Sequence, residues 1–334
     1  MVDATHISFR ADDRSYYSIL KKEIRSRVLE LGYSEKKIGE VDIIVSEMTS
    51  NLSKHAVDGE ILFGVFTGEA EYVEVISIDN GPGMSDPQRM AQDGVSTTNT
   101  LGHGIGSIRR LSDNFDLYSQ RGWGTIALSR VYKAEMKSKG RFVPDLRALV
   151  VAKPGEKVSG DGCYYKTSGD LLKLLVADGL GHGVEANKAV NEAVTAFKAC
   201  PYNSPVDILQ YLHTSIRKTR GIVGTVAVFN FKTRQWQLAG VGNISTKMIS
   251  ALSSRNYMSY NGIIGHNIPN SMKNQEYTVD DFHQIILCSD GLKSRWEPKY
   301  PSIGKHDLSV LAAALYKDFA RRTDDMSVVI AKIS

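Results

Sequence analysis

Four aspartates of this chain stand where apolar runs meet turns, and this placement limits the folds that the sequence can adopt. They are Asp161, Asp178, Asp290 and Asp324. The first three are followed at once by glycine, and the fourth sits just before an apolar run, so strands would deliver all four carboxylates to sheet edges. Gathered carboxylates repel one another unless cations hold them, and hard oxygen ligands favour Mg²⁺ or Mn²⁺ over Zn²⁺. The pattern therefore indicates a two-metal hydrolase for a phosphorylated substrate.

The bulk properties exclude several classes of protein. A length of 334 residues with 42% apolar content favours about two globular domains. The net charge of +4 is spread along the chain, so we expect no nucleic-acid partner. We expect neither a membrane span nor a signal peptide, because the sequence has no unbroken apolar stretch of about 18 residues and no basic start before an apolar core. Three cysteines without Cys-x-x-Cys spacing favour a reducing cytoplasm over disulfides or zinc.

A basic, weakly apolar stretch at 133–145 predicts a boundary between domains at 1–135 and 142–334. Apolar spacing of three and four residues predicts a helix over 35–57 in the first half, with strands and a further helix completing an α/β layer. In the second half, helices alternate with groups of neighbouring strands. This order favours a β-sandwich covered by helices over βαβ repeats.

The first half contains an ordered set of polar and glycine-rich motifs. Glu47 and Asn51 share one face of the predicted helix, because they lie four residues apart. The remaining positions are Asp79, Gly81 and Gly83 after a strand, then Gly102, Gly104 and Gly106 at a helix start, then Gly124 and Thr125 at the last strand. Each motif alone is weak, since turns and solvated helix faces explain most such cases. In this order, residues 10–132 resemble the GHKL ATPases of gyrase, histidine kinases and anti-sigma serine kinases, especially the RsbT subgroup.

This resemblance implies a Mg-ATP site. Asn51 would ligate Mg²⁺ on the phosphates, and Glu47 would orient or deprotonate the attacking group. Asp79 would accept from the adenine amino group, and Thr125 would belong to the same site. The glycines would let the backbone approach the base, at Gly81 and Gly83, and the phosphates, at Gly102, Gly104 and Gly106.

The aspartate motifs of the second half resemble, in order, those of the metal-dependent PPM protein phosphatases, over about residues 142–334. The SpoIIE/RsbX branch is the most similar. The resemblance implies attack by a water between two Mg²⁺ or Mn²⁺ ions. Asp161 and Asp178 would hold the pair with the Gly179 carbonyl on one ion, and Asp290 and Asp324 would complete the other shell. Asp325 is interpreted as a neighbour of the ligands or as a solvent-facing residue rather than as a ligand.

The expected fold class is therefore α+β in two domains, an N-terminal GHKL α/β sandwich and a C-terminal PPM-type αββα sandwich. The expected function is a cytoplasmic serine/threonine phosphatase of a bacterial partner-switching pathway, acting on phosphorylated STAS-domain proteins, with no nucleic-acid or membrane partner and with a homodimer left possible. The N-terminal half would be an active serine kinase or, alternatively, only an ATP-dependent binding and regulatory module. A third reading, a non-enzymatic partner-switching scaffold, conflicts with the four retained aspartates.

Overall fold

The computed structural model describes residues 5–11, 15–67, 70–90, 104–135, 145–250 and 253–333. Their contacts divide the chain into two compact units. The N-terminal unit comprises residues from His6 up to the boundary at 140 together with Pro298–Lys317, and the C-terminal unit comprises most of the remainder. The two-domain mixed fold class that the sequence predicts is confirmed.

The elements up to residue 135 alternate between helices and antiparallel strands. They are β1 (Thr5–Arg10), α1 (Ser15–Glu30), α2 (Glu35–His55), β2 (Glu60–Phe66), β3 (Tyr72–Asp79), α3 (Pro87–Met90), α4 (Gly104–Leu111), β4 (Asn114–Gln120) and β5 (Gly124–Tyr132). Ser34 caps α2, because its side chain accepts a hydrogen bond from the Lys37 amide. The strands lie in the order β1-β2-β3-β5-β4, all antiparallel.

One face of this sheet packs on α1 and α2. Alternate residues of the strands, including Phe63, Val75 and Val131, join the apolar stripe of α2 in one buried cluster. The other face carries the intervening residues, among them Glu74 and Arg130, both fully buried. Buried charges are tolerated only when they are paired, so this face needs charged partners.

The elements after residue 145 supply the second unit and one helix of the first. They are β6 (Asp145–Val151), β7 (Asp161–Ser168), β8 (Leu171–Gly179), α5 (Val184–Ala199), α6 (Pro205–Ser215), β9 (Ile222–Asn230), β10 (Gln235–Val241), β11 (Ser245–Ile249), β12 (Ser254–Tyr257), β13 (Gln275–Thr278), β14 (Gln284–Cys288), a 3₁₀ helix (Pro301–Lys305), α7 (Leu308–Phe319) and β15 (Met326–Lys332). The 3₁₀ helix and nearly all of α7 fold with the N-terminal unit.

This segment, Pro298–Lys317, supplies partners for the charged sheet face. Arg130 donates Nη1 and Nη2 to the two carboxylate oxygens of Asp307, each at 2.7 Å, and Nε to Glu74 at 2.6 Å. The Tyr316 hydroxyl donates to Glu60 at 2.5 Å. Burial alone would raise the pKa of Glu74, but the charge of Arg130 and the hydrogen bond from His6 hold that pKa at about 2.

The C-terminal unit contains two groups of antiparallel strands. Their orders are β12-β11-β14-β15-β6 and β13-β10-β9-β8-β7. The two groups touch through β7, which contacts β6 and β15, and α5 and α6 cover the second group. The apolar residues of α5 and α6 form one buried cluster with those of β8 and β9. Two strand groups with helices covering one of them form the helix-covered sandwich that the sequence predicts. No helix within the described ranges is both long and apolar enough to cross a membrane.

Candidate active sites

The N-terminal unit brings Glu47, Asn51 and Gly104 together. Both side chains project from α2 and are half-buried, and Gly104 is the first residue of α4. A Cβ atom at Gly104 would lie 3.1 Å from Glu47 Oε2 and 3.5 Å from Asn51 Oδ1. The first N–H groups of α4 have no partner within the helix, so this corner combines donors for an anion with a carboxylate and an amide. Gly102 lies outside the described residues, and Gly106 is buried within α4.

Asp79 is the last residue of β3. Its Oδ1 accepts the Gly81 amide at 2.7 Å, and its backbone pairs with Thr125 of β5. Burial raises the pKa of Asp79 above its ordinary value, although the amides of Gly81 and Thr125 favour the charged form. A partly buried carboxylate at a strand end is suited to accept hydrogen bonds from a bound ring.

Two glycines allow neighbouring backbone segments to pack closely around Asp79. Gly83 has φ +70° and a Cβ there would lie 2.0 Å from the Gln120 carbonyl oxygen. Gly124 has φ +117° and a Cβ there would lie 2.0 Å from the Asp79 carbonyl oxygen. Both positions therefore require glycine for backbone packing, whatever the ligand.

Thr125 fixes the same corner through Ser119. The two hydroxyl oxygens lie 2.9 Å apart, and the Ser119 hydroxyl also accepts the Met84 amide at 2.8 Å. Thr125 is thus connected to the turn that carries Gly81 and Gly83. The structure places the predicted residues in two groups, one on α2 and α4 and one at the β3–β5 edge.

In the C-terminal unit, the four aspartates come from four strand ends. Asp161 begins β7 and pairs directly with Asp178 near the end of β8. Asp290 lies two residues after β14, and Asp324 lies two residues before β15. The strands β14 and β15 are antiparallel neighbours. Antiparallel pairing places the end of one strand beside the start of the next, so each pair of acids meets at one sheet edge.

Three of these aspartates line one cavity. Its volume is about 370 Å³, and its wall includes Asp178, Gly179, Leu180, Gly181, Val223, Gly242, Asn243, Asn261, Gly262, Asp290 and Asp324. Asp161 is not on this wall and is almost completely buried. Within the described ranges, neither carboxylate oxygen of Asp161 has a hydrogen-bond partner. A buried carboxylate without partners is costly, so this group requires a counter-charge whenever it is ionised.

The carboxylates raise one another's pKa. Burial raises the pKa of Asp178 most, and the charges of Asp161, Asp290 and Asp324 add to it. Burial also raises the pKa of Asp161, although the nearby Ser289 and Ser327 hydroxyls, which do not meet hydrogen-bond geometry with its carboxylate, favour the charged form. Across the described part of the chain, no three acidic, histidine or cysteine side chains are already arranged to hold one metal ion. The acids still fit divalent cations, because cations would satisfy Asp161 and relieve the mutual repulsion.

Sequence reasoning missed two residues around this cavity, Asn243 and Arg220. Asn243 donates its side-chain amide to Asp290 Oδ2 at 2.9 Å. It follows the apolar strand β10, so the rule that identified the aspartates, a polar residue at a strand end, would also have found it. Arg220 places Nη1 3.2 Å from the point where a Cβ of Gly181 would lie, but its flanking sequence carries no signal of this position.

Comparison with known families agrees with both halves of the structure. Residues 10–129 match the histidine kinase-like ATPase domain. Residues 168–334, half of the chain, match the stage II sporulation protein E (SpoIIE) family. These matches confirm the two resemblances and their fusion in one chain.

Two curated proteins of Bacillus subtilis (strain 168) resemble successive parts of the chain. The serine/threonine-protein kinase RsbT is 32% identical over 102 residues, which are 30% of this chain and 77% of RsbT. The phosphoserine phosphatase RsbX is 24% identical over 191 residues, 54% of this chain and 91% of RsbX. A chain solved in work on the bacterial stressosome is 28% identical, with a TM-score of 0.51, and the alignment covers 57% of this chain and all of that one.

Proposed function

We propose, from the premise that this chain belongs to the SpoIIE family of PPM-type serine phosphatases and carries a histidine kinase-like ATPase domain, that its C-terminal unit is a divalent-metal-dependent protein phosphatase. The observation that supports this most is the cavity lined by Asp178, Asp290 and Asp324 above the unpartnered, buried carboxylate of Asp161. The substrate would be a phosphoserine or phosphothreonine side chain.

Each residue of the cavity has a task in this proposal. Asp161 and Asp178 would hold the pair of ions with the Gly179 carbonyl on one of them, and Asp290 and Asp324 would complete the shell of the other. Bound Mg²⁺ or Mn²⁺ supplies a water of lowered pKa and neutralises phosphoryl oxygens. Hydrolysis joins a water oxygen to phosphorus, breaks the bond to the serine oxygen and leaves a proton on that oxygen. Asn243 keeps Asp290 in place by donating to it.

Arg220 supports the capture of an anionic substrate at this cavity. Its guanidinium lies beside Gly181, which belongs to the cavity wall. Arginine binds phosphate and carboxylate oxygens through two parallel N–H donors, so an exposed arginine here suits a phosphorylated protein.

We further propose that the substrates are phosphorylated STAS-domain proteins of a cytoplasmic partner-switching pathway. The similarity of successive parts of the chain to a serine/threonine-protein kinase and to a phosphoserine phosphatase supports this. A single chain would then both add and remove one phosphoryl mark. The proposal includes no nucleic-acid or membrane partner and leaves a homodimer possible.

For the N-terminal unit, the proposal is Mg-ATP binding with serine kinase activity. Asn51 would ligate Mg²⁺, Asp79 and Thr125 would bind adenine, and Gly81, Gly83, Gly102, Gly104 and Gly106 would line the nucleotide. Glu47 would accept the proton of the attacking serine hydroxyl while the γ-phosphoryl group moves to that oxygen and ADP leaves. The proximity of Glu47, Asn51 and Gly104 favours this reading over a unit that only binds ATP.

The phosphatase proposal is tested with purified protein, Mn²⁺ and either an aryl phosphate or a phosphorylated STAS protein. Wild type should release phosphate, and Asp178→Asn should abolish release while ATP affinity stays unchanged. Equal activity of the variant and wild type would remove Asp178 from the reaction. Absence of hydrolysis from both proteins would favour a non-enzymatic scaffold.

The kinase proposal is tested with a variant that lacks phosphatase activity, so that the phosphorylated product is not hydrolysed. Asp178→Asn protein should transfer label from γ-labelled ATP to a STAS protein, and the double variant Glu47→Gln/Asp178→Asn should bind ATP without transfer. No transfer by Asp178→Asn protein that still binds ATP would leave the N-terminal unit as a binding and regulatory module. Asn51→Ala should weaken Mg-ATP binding in the same titration.

A further inference from the structure

The carboxylate of Asp325, next to a proposed metal ligand, is already fully engaged with backbone. Its Oδ1 accepts the amide of Lys153 at 2.8 Å, and its Oδ2 accepts the amide of Gly160 at 2.8 Å. The residue is only 3% exposed. Hydrogen bonds to an ionised acceptor are among the stronger ones in proteins, so these two contacts tie together both ends of the loop 153–160.

That loop leads straight into the proposed metal site. Gly160 precedes Asp161, and its carbonyl accepts the Gly179 amide at 2.9 Å. A Cβ at Gly160 would lie 2.9 Å from Asp325 Oδ2 and 2.8 Å from the Ala186 side chain, so the loop end is tightly packed. A shift of Gly160 would therefore move both Asp161 and the neighbouring Gly179.

The same loop also reaches the rim of the cavity. Glu156, in its middle, places Oε1 2.7 Å from Nδ1 of His182. His182 directly follows Gly181, a residue of the cavity wall. The end of the loop therefore adjoins the buried Asp161, and its centre contacts the exposed residue His182.

We infer that Asp325 is a positioning residue for the phosphatase reaction and not a metal ligand. It closes the loop 153–160 and so fixes Asp161 and Gly179 before any ion binds. The inference rests on the proposed metal-dependent function, because it assigns Asp325 a role in presenting ligands. The loop closure itself is a property of the metal-free protein and can be measured separately.

The test compares Asp325→Asn with Asp324→Asn in the full chain. Amide hydrogen exchange of the metal-free proteins reports the loop, calorimetric titration with Mn²⁺ reports ion affinity, and aryl phosphate hydrolysis at saturating Mn²⁺ reports kcat. An asparagine keeps one acceptor and turns an NH₂ group toward the second amide. In Asp325→Asn we expect exchange at residues 153 and 160 about tenfold faster, because one charge-assisted hydrogen bond is lost.

The other two measurements separate the roles. In Asp325→Asn we expect Mn²⁺ affinity to fall about tenfold, since the ligands must first be ordered, with kcat at saturating Mn²⁺ within about twofold of wild type. Asp324→Asn should keep wild-type exchange in the loop and lose hydrolysis at every Mn²⁺ concentration. Asp325→Glu retains the charge, but its side chain is one methylene group longer and cannot meet both amides in the same geometry. Its loop amides should therefore exchange as fast as those of Asp325→Asn.

Three results would overturn the inference. Asp325→Asn could show unchanged loop exchange together with the complete loss seen in Asp324→Asn, which would make Asp325 a ligand. It could match wild type in exchange and Mn²⁺ affinity, which would leave the loop independent of Asp325. Asp325→Glu could restore wild-type exchange, which would mean that charge alone suffices. If wild type neither binds Mn²⁺ nor hydrolyses substrate, the proposed function fails, while the exchange data still judge the closure of the loop.

Discussion

Gly124 and Gly122 occupy one turn yet differ in what surrounds them. Both have positive φ, +117° and +74°. A Cβ at Gly124 would overlap the Asp79 carbonyl, whereas a Cβ at Gly122 would meet nothing within 4 Å. A substitution at Gly122 therefore introduces backbone strain alone, whereas one at Gly124 adds a steric clash at the proposed adenine site.

We expect Gly122→Ala to lower the free energy of unfolding by about 1 kcal/mol, the cost of a left-handed residue with a Cβ. Gly124→Ala should cost several times more and should also weaken ATP binding, because the backbone of Asp79 must move. Urea unfolding and nucleotide titration measure both effects. Equal costs for the two variants would contradict the close approach.

Arg220 offers a test of substrate capture. Arg220→Ala should raise KM for a phosphorylated protein about tenfold and leave kcat within about twofold, because the guanidinium binds substrate away from the reacting water. Arg217→Ala, a neighbouring exposed arginine, serves as the control and should match wild type. A fall in kcat at unchanged KM would place Arg220 among the reacting groups instead.

At the scale of elements, the charged face of β3 and β5 depends on α7 and the residue before it. Arg130 and Glu74 are fully buried, and Asp307 is largely buried beside them. Removing one member of a buried group of charges leaves the others without compensation, which costs more than the pair contributes.

Arg130→Met should therefore lower the free energy of unfolding of the N-terminal unit by about 3–5 kcal/mol. The matched control is Lys133→Met on the same segment, whose partner Glu71 is exposed, with an expected cost below about 1 kcal/mol. Chemical unfolding followed by tryptophan fluorescence distinguishes the two. Similar small costs would mean that water reaches Arg130.

The low pKa of Glu74 predicts acid sensitivity of the same unit. A carboxyl whose pKa is depressed to about 2 in the folded state stabilises fully above its unfolded pKa of about 4.3, and this stability is lost as pH falls through 2. The contribution is about 3 kcal/mol. Stability measured between pH 6 and 2 should fall less steeply in Glu74→Gln than in wild type; parallel curves would exclude this group.

The sequence predicted the strongly periodic elements and missed the weak edge strands. The stripe of α2 was recognised because its apolar spacing is regular. The strands β1, β7, β12 and β13 were not predicted, and the last three each end a strand order, are short or polar, and lack the alternation that marks a half-buried strand. Edge strands often carry polar residues, which limits pairing with other chains but removes the sequence signal.

At the candidate sites, the sequence identified residues that sit at strand ends or next to glycine. It could not identify Asn243 as a partner of Asp290 or Asp325 as a loop anchor, because both roles depend on contacts between distant segments. The acidic motifs could be recognised from the sequence because carboxylates at strand ends are unusual. The groups that support them are ordinary polar residues.

At the scale of the whole molecule, the units do not follow the chain as two uninterrupted halves. Pro298–Lys317 lies between Asp290 and Asp324 in sequence but folds in the N-terminal unit. Sequence motifs could not reveal this, since both flanks belong to the phosphatase motif set. The partners of this segment, Arg130 and Glu60 among them, lie 177 and 256 residues earlier.

A fragment of residues 1–140 should therefore be less stable than the same unit in the full chain, because its buried charges lose Asp307 and Tyr316. Joining residues 298–317 to that fragment through a flexible linker should restore stability, and the same fusion with Asp307→Ala should not. Thermal unfolding of the three proteins tests this. A fragment of residues 1–140 as stable as the fusion would contradict the assignment.

The place of residues 298–317 in the sequence also determines when the N-terminal unit can complete its folding during synthesis. The strands and helices of the N-terminal sheet are translated before the C-terminal unit, but Asp307, the second carboxylate that pairs with Arg130, follows 177 residues later. The N-terminal unit therefore lacks the partners that Asp307 and Tyr316 supply until most of the residues that build the C-terminal unit have been translated.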